Sequence, residues 1–195
     1  MIAQLSDSEE NALNEMWGAS SYGAISALAS TLGKDVKLID PCVKQMLLND
    51  VPGAINAGES GNIIIYLKLS GAVKGVAAIS AEPSNILALA DMLLHKEIGT
   101  FKTLDNQNFS VVNELLNILT GYYVDALVAR ISGKINMREP TYSVNPYKAI
   151  DDFGLGETFK EIKVLVFENK FVIPEVQVHG KTFLILSEKV LKKFM

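Results

Sequence analysis

Residues Ser110–Leu127 read SVVNELLNILTGYYVDAL, and the stretch resolves into two faces when wound at 3.6 residues per turn. Val112, Leu115, Leu116, Leu119 and Tyr123 fall on one arc, fit to bury against a sheet. Ser110, Glu114, Asn117 and Gly121 are spaced 4, 3 and 4 apart and form a polar stripe on another. Pro140 follows 23 residues after Asn117. The same spacing occurs 99 residues upstream, as Asn11, Glu15 and Gly18, with Pro41 again 23 residues further on. A spacing kept over that distance predicts a duplicated architecture, in which only the second copy is intact.

The flanking sequence supports this reading. Ser6 and Glu9 have capping-box spacing, and Leu13, Met16, Trp17, Ile25, Leu28 and Leu32 recur at helical intervals up to a capping glycine, Gly33. At an offset of 99, Leu5 meets Leu104, Asn14 meets Asn113, Ala27-Leu28 meets Ala126-Leu127, and Asp40 meets Glu139. Asp105 or Asn106 caps the second long helix, expected to run to about Ser132 and stop at Gly133. Residues 49–61 read as a loop, 62–69 and 72–81 as a hairpin turning at Ser70-Gly71, and 83–96 as a shorter helix. In the second half, 141–160 read as an irregular connection, 162–168 and 176–186 as strands, and 187–195 as a closing helix. The expected fold is α+β: a tandem duplication of a helix–strands–helix unit with pseudo-two-fold symmetry. One domain spans 1–195, with repeats of about 1–100 and 101–195, and the two long helices lie on one side of a shared antiparallel sheet.

Composition removes several classes of function. A net charge of −4 gives no electrostatic reason to expect nucleic acid. No uncharged apolar run approaches the ~20 residues of a membrane span, and the N-terminus does not read as a signal peptide, so a cytoplasmic protein without membrane insertion is expected. The single cysteine, Cys42, reads as a small buried hydrophobe. His95 and His179 lie far apart without metal-ligand spacing and read as surface residues. Asp151-Asp152 beside Phe153-Gly154 reads as a turn, and Lys189, Lys192 and Lys193 as a solvated helix end.

A polar stripe on an amphipathic helix most often serves only solvation. Two details separate this one from that ordinary case: asparagine is unfavourable in a helix interior, and the Glu and Pro spacings recur in the other half. Ser110-x3-Glu114-x2-Asn117 with its following proline resembles the signature of the CheC, CheX and FliY phosphatases of chemotaxis. Glu114-Leu-Leu-Asn117-Ile118-x2-Gly121-x-Tyr123-x2-Ala126-Leu127 is similar to that family's Glu-Ile-Gly-Asn-Ile helix and the residues after it. By its duplicated order and its length, the chain looks most like the CheC type. The resemblance implies a phosphatase acting on the phospho-aspartate of a CheY-like response regulator. Glu114 would pair with the receiver's active-site lysine, Asn117 would orient the attacking water, and Ser110 would support them. Mg²⁺ would come from the receiver, and the chain would carry no cofactor of its own. Asn11, Glu15 and Gly18 would be a degenerate first site, since glycine has no amide to place a water. The alternatives are a non-catalytic adaptor that binds a receiver or a CheD-like deamidase, and a structural subunit of a switch complex.

Overall fold

The computed structural model describes residues 5–55, 61–151 and 162–194. Helix α1 (Asp7–Leu32) starts where the sequence places it: Ser6 Oγ accepts the Glu9 N–H at 3.4 Å and the Glu9 carboxylate accepts the Ser6 N–H at 2.7 Å. Gly33 ends it at φ 62°, a left-handed conformation that suits glycine. Next come β1 (Lys37–Leu47), a 3₁₀ turn, α2 (Val51–Ile55), the hairpin β2 (Ile63–Gly71) and β3 (Gly75–Ala81), and α3 (Pro83–Leu93). The second half runs α4 (Asn106–Val128), β4 (Ile135–Met137), β5 (Thr141–Ser143), α5 (Pro146–Asp151), β6 (Lys163–Ile173), β7 (Val178–Ser187), a 3₁₀ turn and α6 (Leu191–Phe194).

Among the described residues, seven strands pair antiparallel in one sheet of order β1-β6-β7-β3-β2-β4, with β5 also on β2. Odd and even strand positions face opposite ways, so the sheet has two cores. One lies under the long helices and α3 and holds Ile65, Leu67, Ile79, Phe167, Leu184 and Trp17. The other lies under α2 and α5 and holds Ile64, Tyr66, Val166, Phe183 and Ile185. Both long helices pack on the first face, as expected.

The pairing also relates the halves residue by residue. Leu38↔Phe171 and Val43↔Phe167 at one edge of the sheet correspond to Met137↔Leu69 and Tyr142↔Ile65 at the other, a displacement of 99 on the outer strand and 102 on the inner. The register breaks between Ile39 and Cys42 in β1, and the same break separates β4 from β5. Pro41 and Pro140 fall in these two breaks. Both outer strands are sheet edges, where a residue without an N–H removes no ladder bond and blunts an exposed edge. The repeated proline therefore has an account in the fold itself.

Several expectations are corrected. Residues 49–55 of the expected 49–61 loop are helical instead: Pro52 sits in the first turn of α2, where its missing N–H is harmless, and Val51, Pro52 and Ile55 are buried. Residues 56–60 lie outside the described part. Residues 141–151 are not irregular but form β5 and α5, the latter begun by Asn145 Oδ1 accepting the Tyr147 N–H at 3.0 Å; the remainder of that segment, with Asp152, Phe153 and Gly154, lies outside the described residues. The hairpin does not turn at Ser70-Gly71. β2 continues through Gly71, where a Cβ would collide with the Lys134 carbonyl as β4 approaches. α4 ends at Val128 rather than near Ser132. Cys42 is half-buried on an edge strand, not a core residue; burial raises its thiol pKa while Lys44 draws it down.

Candidate functional site

Helix α4 is fixed firmly at its start. Asp105 Oδ1 accepts the N–H groups of Gln107 and Asn108 at 2.9 and 3.0 Å, while Asn108 Oδ1 accepts the Asp105 N–H at 2.9 Å. The Asn108 amide also donates to the Thr103 carbonyl at 2.8 Å. Such reciprocal capping is worth about 1 kcal/mol and sets the phase of the helix. Val112, Leu115, Leu116, Leu119 and Tyr123 are then buried, all as expected. Tyr123 reaches the sheet, its hydroxyl 2.8 Å from Thr182 Oγ1 and accepting from the Asn169 amide at 3.1 Å; burial pushes the phenol above its ordinary pKa.

The opposite stripe faces outward. Ser110 and Glu114 are exposed, and Asn117 and Gly121 are half-buried. Glu114 and Asn117, three residues apart, stand on adjacent turns, so their carboxylate and amide can meet one partner surface. On α1, Asn11 and Glu15 are likewise exposed and Gly18 is half-buried. The two long helices touch beyond these motifs: Ser20 Oγ donates to the Tyr122 carbonyl at 3.2 Å, and the Tyr122 ring lies 3.2 Å from where a Cβ on Gly23 would stand. The glycine at 23 permits that close approach.

Two aromatic residues beside the stripe escaped the sequence reading. Phe109 directly precedes Ser110, and its ring meets Tyr142 of β5 edge-on, centroids 4.8 Å apart, with Tyr142 46% exposed. The only available signal was position: Phe109 is four residues before Asn113 and eight before Asn117, hence on one row with them. Asn113 itself has a buried side-chain oxygen with no hydrogen-bond partner, whereas its counterpart Asn14 accepts the Val43 N–H at 2.9 Å. A groove of ≈ 750 Å³ lies between β2, the start of β3 and the β4–β5 break, lined by Tyr66, Lys68, Lys74 and Arg138 among others; it shares no residue with the stripe.

His95 and His179 are exposed, as expected. Among the described residues no group of three or more His, Cys, Asp or Glu side chains is placed to hold a metal ion, and no helix is long and apolar enough to cross a membrane.

An antiparallel sheet with two long helices on one face is the fold this chain shares with solved structures of FliY, FliM, CheX and a CheC-like protein. No family model matches the sequence, and no curated protein matches it. Among solved structures, Thermotoga maritima FliY superposes with a TM-score of 0.72 at 19% identity, over 100% of this chain and 96% of that one. FliM in the FliG–FliM complex of H. pylori gives 0.74 at 10% identity, over 97% and 100%. CheX of Borrelia burgdorferi, solved with CheY, BeF₃ and Mg²⁺, gives 0.55 at 17% identity, over 87% and 96%.

Proposed function

We propose that this protein accelerates hydrolysis of the phospho-aspartate of a CheY-like receiver domain. The observation that carries the reading is the outward pair Glu114 and Asn117 on the rigidly capped α4. Support comes from the fold, which also occurs in CheX solved with CheY. In this reading Glu114 engages the receiver's lysine and fixes the docked orientation. Asn117 accepts a hydrogen bond from water and holds it in line with the phosphorus. Water attacks, the bond between phosphorus and the aspartyl oxygen breaks, and inorganic phosphate and a free carboxylate result. Asparagine is no base at neutral pH, so the acceleration comes from positioning. The receiver contributes the Mg²⁺, and Ser110 supports the first turn of the stripe.

A second reading, a binding module without catalysis, is favoured by the higher TM-score to FliM in its FliG complex. One experiment separates the two. Decay of a phosphorylated receiver is followed alone, with the protein, and with Asn117→Ala or Glu15→Ala. The expected result is acceleration that falls by about 100-fold or more in Asn117→Ala, the scale of a lost positioning group, and is unchanged in Glu15→Ala. Binding without acceleration would select the module. Equal loss in both variants would overturn the one-site reading.

A further inference from the structure

The geometry points to the Phe109–Tyr142 pair as the shelf that seats the receiver domain beside Asn117, and so as a determinant of affinity rather than of the chemical step. This rests on the function proposed above. Phe109, Asn113 and Asn117 follow each other at four-residue intervals, so Phe109 lies about 12 Å along the helix from Asn117 and about 80° round it, on the flank that meets Tyr142 of β5. A standard interface covers roughly 800 Å² per partner, a disc of about 16 Å radius. A receiver centred on Asn117 therefore reaches the pair.

The chain supplies its own comparison. In the first half, the positions matching Phe109 and Tyr142 are Glu10 and Val43, and no aromatic pair exists there. Val43 is buried and tied to α1 through Asn14. In the second half Asn113 makes no such bond, a ring contact joins β5 to α4, and Tyr142 is left 46% exposed, with Tyr147 60% exposed further along the chain. An aromatic pair is thus present beside the intact motif and absent beside the degenerate one. Exposed aromatics of low side-chain entropy, adjoining a polar rim, are what concentrated binding energy requires. The occupant is the receiver, because the shelf is continuous with the row that must contact its acyl phosphate.

The test uses the full chain with Tyr142→Thr, which removes the ring but keeps a strand-favouring residue, and Tyr142→Phe, which keeps the ring. Binding to the BeF₃-activated receiver is measured by calorimetry, and KM and kcat by phosphate release. Tyr142→Thr should raise both Kd and KM about tenfold, the loss of one anchoring side chain, with kcat held within about twofold; Tyr142→Phe should behave as the parent. Parent-like Kd and KM in Tyr142→Thr would overturn the shelf while leaving the phosphatase reading intact, as would a fall in kcat alone. A parent protein that binds the receiver without hydrolysis would fail the phosphatase reading, yet Kd would still decide the shelf. A parent that binds no receiver overturns both.

Discussion

Gly18 occupies on α1 the position that Asn117 occupies on α4, and nothing in the fold demands a glycine there. A Cβ built on it meets no atom within 4 Å. Asparagine would fit without displacing a neighbour and would suit the helix slightly better than glycine, by a few tenths of a kcal/mol. Glu15 is already exposed one turn earlier. Gly18→Asn, made in the Asn117→Ala protein, therefore asks whether a missing amide alone silences the first half. The expected outcome is phosphate release restored at saturating receiver but with a KM about tenfold above the parent's, because Glu10 and Val43 cannot provide the aromatic shelf that flanks the intact row. Recovery with the parent's KM would show that a Glu–Asn pair suffices and that the shelf is dispensable, and no recovery at saturating receiver would show that the first half lacks more than an amide.

The helix that carries the candidate site was largely legible because its signals are local. Asp105, the apolar arc and the 4-3-4 polar stripe all act within a turn or two, and the structure places each as the sequence implies. The sheet edges were not legible, for the opposite reason. Pro41 argues against a strand when read locally, yet β1 accommodates it at a bulge whose partner, β6, lies more than a hundred residues away. β4 and β5 have three residues each and owe their conformation to pairing with β2, which no local pattern announces. Phe109 escaped the sequence reading because its partner, Tyr142, comes against it only through the pairing of β5. Gly121 is a matter of the helix surface. Its Cβ position is open within this chain, so the fold gains nothing from glycine and α4 is weaker for it by about 1 kcal/mol. Gly121→Leu should raise the melting temperature by ~2–4 °C for a chain of this size and, under the proposed function, reduce receiver dephosphorylation, because added bulk would meet a docked receiver. Thermal melts and phosphate release on the same preparation check the two effects. A variant that is more stable and fully active would mean that the receiver does not approach α4 at that turn.

Across the whole molecule, the two halves exchange their edges. β1 of the first half completes the sheet on β6 of the second, β4 and β5 of the second complete it on β2 of the first, and β3 and β7 join at the centre. Neither half holds its own outer strand, so each lacks a closed sheet without the other. Trp17, the only tryptophan, sits across this division: it is buried, its ring is 4.6 Å from Tyr123 and 5.1 Å from Phe167, and its indole N–H donates to the Glu168 carbonyl at 3.1 Å. Where the chain passes between the halves, the buried Asp91 carboxylate accepts the N–H groups of Gly99, Thr100 and Phe101 at 2.8 to 3.1 Å. These features should make the halves unfold as one cooperative unit despite a length at which separate folding units are common. Urea unfolding followed by Trp17 emission and by far-ultraviolet circular dichroism should therefore give coincident transitions. Asp91→Ala leaves three N–H groups without their acceptor and should lower stability by roughly 2–4 kcal/mol, moving both transitions together. Emission that changes at lower urea than the dichroism would mean that the halves part before they unfold, and that the exchanged strands do not make the sheet a single cooperative structure.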